Sequence, residues 1–279
     1  MKNILLWMIH ASGETTLVET NACSLDEINL EIPSGVYTTF RTFEKTKVLQ
    51  LELHFERLEK SAEILGHQLS CNRILLRQAI REILLGLPDQ DYRIRLSVDL
   101  ETGEKKFYLA LEPLKPIPAI IYKKGVKIVL IFDLLRDTPQ AKTTTFIRKA
   151  DVVRHQLPPE VNEALMTDPK GSILEGLSSN FFAVKNGKLV TAGEGILEGI
   201  TRELVLKSAN LLRVEIIFRN VHIDELASCE ECFITSTSRG VLPVVEISET
   251  VIGNGMPGPV TRAIQDHFQQ LIEIETEQI

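Results

Sequence analysis

The stretch that most constrains the fold of this chain runs from residue 175 to residue 202. Its short apolar run at 181–184 is followed by Asn186-Gly187, which favours a two-residue hairpin turn, and by a return strand at 188–191. A loop with three glycines then leads to Ile200-Thr201, where a helix is predicted to begin. Unpaired backbone N–H groups and the helix dipole favour an anion at such a start. The stretch predicts a hairpin and a helix suited to a phosphate, with ordinary helix capping as the alternative.

Composition limits the classes of protein and partner. With 279 residues, 44% hydrophobic and 25% charged, the chain is globular and long enough for two domains. A net charge of −7 argues against nucleic acid or an anionic membrane as partner. No apolar run approaches the roughly 20 residues that span a bilayer. One CxxC, Cys229 to Cys232, is present without a second, so we expect a structural pair without metal and a reduced, cytoplasmic protein.

Three prolines within six residues, Pro113, Pro116 and Pro118, mark the best domain boundary. We therefore predict domains over residues 1–118 and 119–279. The pattern before the boundary predicts edge strands up to residue 32, strands at 35–43, 48–51, 92–100 and 106–111, and helices at 52–65 and 72–85. The pattern after it predicts strands at 126–132, 172–174, 214–218, 231–236 and 241–247, and helices at 145–157, 200–212 and 259–274, besides the hairpin.

The 175–202 stretch resembles a known family segment: a Glu, a small-residue turn, Asn and an aromatic, a strand ending in Thr, then Gly-Ile-Thr-Arg. This is the pattern of the class IV pyridoxal-phosphate (PLP) aminotransferases, which include branched-chain aminotransferases, D-amino-acid transaminases and aminodeoxychorismate lyases. Residues 54–58 and the glycine-rich segment 252–261 extend the resemblance over about residues 35–270. It implies a mixed α/β (α+β), D-amino-acid aminotransferase-like fold of two domains. PLP is expected in the interdomain cleft, with its lysine on a larger, β-barrel-like C-terminal domain.

The resemblance also implies which residues carry the chemistry. The lysine that forms a Schiff base with PLP is expected to be Lys142, because its small-residue neighbours match the family; Lys149 and Lys170 are the alternatives. Glu175 is expected to face the pyridine nitrogen. Branched-chain enzymes carry a Tyr shortly after the lysine, whereas this chain has Phe146-Ile147. That departure changes the expected surroundings of the cofactor.

The phosphate and substrate contacts come from further matches. A guanidinium bonds two phosphate oxygens at once, and hydroxyls and helix N–H groups add donors. The expected phosphate ligands are Arg57, Ile200, Thr201, Ser236 and Thr237. Tyr37 and Arg41 lie an even number of residues apart and so face one side of a strand. The substrate candidates are Tyr37, Arg41, Ser238 and Arg239, whereas His54 is expected to be a packed or capping residue.

The expected function is amino transfer between an amino acid and a 2-keto acid through the lysine Schiff base. Aminodeoxychorismate lyase is the alternative within the family, and a non-catalytic PLP-binding or scaffold protein is the alternative outside it. Where several D-amino-acid and lyase members have Arg-Gly, this chain has Asp99-Leu100, so their carboxylate site is not transferred. The resemblance also implies a homodimer.

Overall fold

The computed structural model describes residues 4–104 and 106–279, which form two compact units. The first unit takes in the described residues up to Lys115 together with Gln140–Lys149 and Ile274–Ile279. The second comprises Pro116–Pro139 and Ala150–Glu273. The sequence analysis places Lys142 on the C-terminal domain, whereas in the structure its segment packs with the first unit.

The secondary structure alternates strands and helices along the chain. The strands are β1 (Leu5–Ile9), β2 (Thr15–Val18), β3 (Gly35–Phe43), β4 (Lys47–Leu49), β5 (Tyr92–Asp99), β6 (Phe107–Pro113), β7 (Val126–Ile131), β8 (Val161–Thr167), β9 (Ser172–Gly176), β10 (Asn180–Lys185), β11 (Lys188–Thr191), β12 (Ile216–Phe218), β13 (Val221–His222), β14 (Glu231–Ser236), β15 (Gly240–Ile247), β16 (Thr250–Val251) and β17 (Thr276–Gln278). The helices are α1 (Leu51–Ile64), α2 (Arg73–Leu85), α3 (Ala119–Lys124), α4 (Thr144–Arg154), α5 (Ile200–Leu211) and α6 (Pro259–Glu275).

The first unit is built on a seven-stranded sheet in the order β17-β4-β3-β5-β6-β1-β2. Residues such as Phe40 and Leu96 pack with Phe55 and Leu58 of α1 in the main core. Leu6 and Ala110 lie in a separate core, which includes Leu25, Ile28 and Ile32 from the segment after β2. β1 is not the edge strand that its loose alternation predicts. It pairs with both β6 and β2, because its apolar side chains contribute to these cores.

The second unit contains a sheet that closes on itself. Its pairing runs β10-β14-β15-β7-β8-β9 and returns to β10 through Asn180 and Glu175. β10 is buried along nearly its whole length, and Phe182 stacks on Phe233 of β14 with ring centres 4.8 Å apart. This closed arrangement fixes both ends of the turn between β9 and β10, where Glu175 lies.

Several elements have no counterpart in the sequence predictions, among them α3 and β17. The segment directly after Pro118 forms α3, because the φ angle that proline imposes suits a helix start. β17 is too short for a pattern of its own and exists because it pairs with β4. None of the six helices in the described part of the chain has the length and apolarity to cross a membrane.

Candidate active site

Lys142 lies two residues before the start of α4 and is held through its main chain. Its N–H donates to Ser61 Oγ at 3.1 Å, and its carbonyl accepts from the N–H of Tyr37 at 3.0 Å. Its ammonium lies 4.9 Å from the centre of the Tyr37 ring, within the range of a cation–π contact. Lys142 is half-buried, whereas Lys149 on α4 and Lys170 in a turn are more open to solvent. Lys142 thus combines partial burial with packing on an aromatic ring.

Helix α1 presents His54, Arg57 and Ser61 at positions that share one helical face. His54 is buried, and its Nδ1 is hydrogen-bonded to Thr38 Oγ1 of β3 at 2.6 Å. Burial, followed by the charges of Arg57 and Lys142, holds the pKa of His54 well below its ordinary value. The imidazole is therefore neutral at neutral pH, and the two cations proposed for the cofactor are both near it.

The two substrate candidates on β3 have different surroundings. Tyr37 is buried, with Lys142 near its ring and the Arg95 guanidinium also 4.9 Å from the ring centre. Arg41 has the expected strand parity, but its guanidinium lies over the Phe43 ring and 3.6 Å from Asp91. The structure thus places Tyr37 against Lys142, and Arg41 against Phe43 and Asp91.

In the second unit, Glu175 is buried at the end of β9 and held by three donors. Arg136 Nε donates to one carboxylate oxygen at 2.6 Å, and Asn180 Nδ2 and the N–H of Leu197 donate to the other, each at 3.2 Å. A buried charge needs such partners to offset its lost hydration. Sequence reasoning missed Arg136, because it lies in the irregular segment between β7 and α4, where no periodic pattern marks a residue.

The start of α5 is fixed next to Glu175 through Asn180. The Asn180 amide also donates to the carbonyl of Leu197 at 2.7 Å. A Cβ on Gly199 would lie 2.1 Å from Asn180 Oδ1, so this close approach requires glycine. Gly199 caps α5 without a side-chain hydrogen bond, which leaves the first-turn N–H groups to other acceptors. Thr201, whose hydroxyl is a candidate phosphate donor, is buried in that turn.

The remaining predicted hydroxyls lie in the turn between β14 and β15. Ser236 ends β14, and Thr237 and Ser238 follow it, half-buried. Arg239 Nε donates to Ser236 Oγ at 2.9 Å, and Arg239 Nη2 donates to Glu163 at 2.7 Å. The Arg239 guanidinium is thus bonded to a carboxylate of the protein itself.

Asp99 belongs to the Asp99-Leu100 pair, which stands where several D-amino-acid enzymes have Arg-Gly. It caps the hairpin between β5 and β6. Its carboxylate accepts from the N–H groups of Glu101 and Thr102 and from the Thr102 hydroxyl. Burial acts to raise the pKa of Asp99, but these bonds outweigh it and lower the pKa. The residue therefore serves the turn, and its negative charge does not suit a substrate carboxylate.

The chemical types of these side chains match those that PLP requires. An amine, a buried carboxylate, a guanidinium and an uncapped helix start are the donor and acceptor types that its carbonyl, pyridine nitrogen and phosphate require. Lys142 and Arg57 come from the first unit, and Glu175 and the start of α5 come from the second.

Known proteins agree with this chemistry. Residues 35–247 match the family described as amino-transferase class IV. A probable branched-chain-amino-acid aminotransferase of Thermotoga maritima is 30% identical, over 88% of this chain and 92% of that protein. The D-alanine aminotransferase of Bacillus licheniformis is 27% identical, over 93% of this chain and 96% of that protein.

Solved structures share the fold. A crystal structure of a putative branched-chain amino acid aminotransferase from Thermotoga maritima matches with a TM-score of 0.80 and 29% identity, covering 97% of this chain and 96% of the other. A T.th. branched-chain amino acid aminotransferase, solved with pyridoxamine 5'-phosphate, has the same fold, with a TM-score of 0.81, 23% identity and 98% coverage of both chains. The α/β fold expected from the sequence is confirmed. By its family match and its identity to an aminotransferase over most of both sequences, this chain belongs to the class IV aminotransferases, which are PLP-dependent transaminases.

Proposed function

We propose that this transaminase binds PLP through Lys142 and moves amino groups between an aliphatic amino acid and a 2-oxo acid. The observation that carries the lysine assignment is the packing of Lys142. Its ammonium lies against the buried Tyr37 ring, and the hydrogen bonds of its own N–H and carbonyl fix its backbone. The branched-chain name of the Thermotoga maritima relative supports the aliphatic substrate. Asp99 supports it as well, because a turn-capping carboxylate offers no site for the carboxylate of a D-amino acid.

The remaining residues have complementary roles in this proposal. When bound, PLP supplies an electrophilic carbonyl and a ring that stabilises the charge left when the substrate Cα loses its proton. Glu175, with Arg136 balancing its charge, holds a proton on the pyridine nitrogen. The phosphate is bound by Arg57, the N–H groups of Ile200 and Thr201, and the hydroxyls of Thr201, Ser236 and Thr237.

Lys142 also acts as the base. Once the amine of the substrate has displaced it from PLP, the free Lys142 amine would take the proton from the substrate Cα and deliver it to the cofactor carbon, as both general base and general acid. Its main chain is fixed by Ser61 and Tyr37, so only the side chain has to move between these positions. Neutral His54 fills the space beside Arg57 and Lys142 without adding a third positive charge.

Amino transfer is favoured over elimination. The curated relatives described above are aminotransferases by name, which supports transfer rather than lyase activity. The two reactions have different products: transfer consumes 2-oxoglutarate, whereas aminodeoxychorismate lyase releases pyruvate and 4-aminobenzoate.

We also propose a homodimer, from the family resemblance, and a cytoplasmic location, because the four cysteines are free thiols. Light scattering after gel filtration tests the dimer.

The visible absorption of the purified protein with PLP tests the lysine and the substrate together. Wild type is expected to show a band that survives dialysis and bleaches with L-leucine, L-isoleucine or L-valine more than with D-alanine. Lys142→Ala is expected to lose the band on dialysis, whereas Lys149→Ala, which changes a lysine on the neighbouring helix, keeps it. A Lys142→Ala protein with an unchanged band would refute the lysine assignment, and bleaching by D-alanine alone would refute the substrate class.

A further inference from the structure

Glu163 of β8 carries a carboxylate that the roles above do not use. Its side chain is 1% exposed. One oxygen accepts from Arg239 Nη2 at 2.7 Å, from Ser178 Oγ at 2.9 Å and from Ser179 Oγ at 3.1 Å. The other accepts from the N–H of Ala164 at 3.2 Å. Burial acts to raise the pKa of Glu163, but the Arg239 charge and these hydrogen bonds outweigh it and lower the pKa.

This carboxylate joins three segments of the second unit. It belongs to β8, it binds the two serines of the turn that follows Glu175, and it binds Arg239 in the turn after Ser236. The packing is close: a Cβ on Gly176 would lie 2.2 Å from Ser179 Oγ and 3.0 Å from Glu163 Cγ. The turn after Glu175 and the turn after Ser236 are therefore held by one ion pair, in which the carboxylate is buried and the guanidinium is 15% exposed.

A buried ion pair is a poor way to gain stability, because the lost hydration of both charges roughly cancels their attraction. Apolar side chains of similar size would fill the same space at no greater cost. What the pair does provide is a fixed geometry, since the planar guanidinium binds two acceptors in set directions. Here Nε binds the Ser236 hydroxyl, and Nη2 binds the Glu163 carboxylate and the Ser178 hydroxyl.

The bond to Ser236 sets the direction of that hydroxyl. A serine hydroxyl has one proton to donate and lone pairs to accept with. Because Arg239 Nε occupies a lone pair of Ser236 Oγ, the proton of Ser236 points elsewhere and is left for an acceptor. A charged donor on the oxygen also polarises the O–H bond and makes it a stronger donor.

We propose that Glu163 and Arg239 are positioning residues, which act through Ser236 to aim its hydroxyl proton at the phosphate of the cofactor. The inference rests on the proposed phosphate role of Ser236 and gives Arg239 a different task from the substrate contact expected from the sequence. Arg239 and Glu163 touch neither cofactor nor substrate in this proposal. The chemical group recognised is a phosphate monoester dianion.

The test compares PLP with pyridoxal, which lacks the phosphate, by measuring dissociation constants through fluorescence quenching. Arg239→Gln is expected to raise the dissociation constant of PLP about tenfold, as loss of a hydrogen bond to a charged group does, and to leave that of pyridoxal unchanged. Arg239→Lys keeps the charge but loses the fork and is expected to behave like Arg239→Gln. Arg219→Gln, the same change in a more exposed pair with Glu225, is the matched control.

A double-mutant cycle with Ser236→Ala separates positioning from a general loss of structure. The effect of Arg239→Gln on PLP is expected to fall below about threefold when Ser236 is already alanine. If Arg239→Gln unfolds the protein, the Glu163→Gln/Arg239→Gln variant removes both buried charges and enters the same cycle. Equal weakening of PLP and pyridoxal, wild-type binding by Arg239→Lys, or additive effects in the cycle would each overturn the proposal.

The cycle can fail without the proposed function failing. If wild type shows the dialysis-resistant visible band and Lys142→Ala loses it, the lysine assignment stands whatever the cycle gives. If Ser236→Ala alone leaves PLP binding unchanged, the phosphate role of Ser236 is wrong, and the positioning inference falls with it. The ³¹P chemical shift of bound PLP, compared between wild type and Arg239→Gln, reports on the phosphate directly and does not depend on turnover.

Discussion

The regions around Lys142 and Glu175 are built in opposite ways. Lys142 is fixed through its main chain, by Ser61 and Tyr37, and its ammonium packs on an aromatic ring. Glu175 is fixed through its side chain, by Arg136, Asn180 and Leu197. In the proposed function, Lys142 delivers a proton to two different atoms, which needs a fixed backbone and a side chain that moves. Glu175 is proposed only to supply charge, and it is most effective when it does not move, because a preorganised charge needs no reorganisation during the reaction.

The largest effect is expected from removal of the Lys142 amine. We expect Lys142→Ala to lower kcat about 10⁴-fold, because both the attachment of the cofactor and the proton transfer are lost. Stopped-flow absorbance of the half-reaction with L-leucine measures this step. Lys149→Ala, in the same segment, is expected to stay within about twofold of wild type. Comparable losses in both variants would mean that the main-chain fixing of Lys142 does not mark the catalytic lysine.

Loss of the Glu175 carboxylate should lower kcat less than loss of the Lys142 amine. We expect Glu175→Gln to lower kcat about 10²- to 10³-fold, because a neutral amide no longer favours the protonated pyridine nitrogen. The binding of PLP should change much less, since the phosphate contacts remain. Steady-state kinetics at saturating PLP measures the loss, and Glu215→Gln, an exposed glutamate in a pair with Lys188, is the control. A loss of PLP affinity without a loss of kcat would contradict the assigned task of Glu175.

Substitution of Arg136 weakens the hydrogen bonding of Glu175 without removing the carboxylate. In Arg136→Gln, Glu175 keeps its bonds from Asn180 and Leu197 and loses only its charged donor. We therefore expect kcat to fall about tenfold, less than for Glu175→Gln. The double variant should be no worse than Glu175→Gln alone, because Arg136 acts through that carboxylate. Additive losses in the double variant would show that Arg136 acts elsewhere.

The sequence predicted local features better than distant contacts. The hairpin at Asn186-Gly187 was predictable because the turn chemistry is local, and both residues have the positive φ it requires. The partner of Glu175 was not, since Arg136 is 39 residues away and comes from an irregular segment. Arg239 was expected to meet a substrate, but its contact with Glu163, 76 residues away, depends on the closed sheet. Such pairings are set by tertiary packing, which no single-sequence pattern encodes.

The glycine-rich segment at 252–261, which resembles branched-chain enzymes, has a structural explanation. Glu231 accepts from the N–H groups of Val260 and Thr261 at 2.9 and 2.6 Å and so caps α6. A Cβ on Gly258 would lie 2.2 Å from the Glu231 carboxyl carbon. The C-terminal glycine-rich segment therefore has a structural role at the start of α6. Its resemblance to branched-chain enzymes is compatible with this role as well as with a role in catalysis.

Gly199 tests whether the rigid region depends on close packing. Its φ is −67°, so alanine is strained there only by contact, at 2.1 Å from Asn180 Oδ1. We expect Gly199→Ala to lower the free energy of unfolding by about 1–3 kcal/mol and to weaken PLP binding. Gly86→Ala is the matched control, since its φ is −74° and its added Cβ meets only ordinary contacts. Urea unfolding with and without PLP measures both effects, and equal values for the two variants would show that the Asn180 contact is not limiting.

A change of pH separates the region around Lys142 from the region around Glu175. The pKa of His54, near Lys142, is depressed below its ordinary 6.5, so its contribution to stability is present above that value and lost as pH falls through it. The pKa of Glu163, near Glu175, is depressed below 4.5, so its contribution is lost only at lower pH. Between about pH 7 and 5 we therefore expect His54 to lower the free energy of unfolding by up to about 1.4 kcal/mol per pH unit. Urea unfolding of His54→Gln should show a shallower slope over this range, whereas His155→Gln, at an exposed position, should keep the wild-type slope. An unchanged slope in His54→Gln would mean that the imidazole beside Lys142 takes up its proton as readily in the folded chain as in the unfolded one.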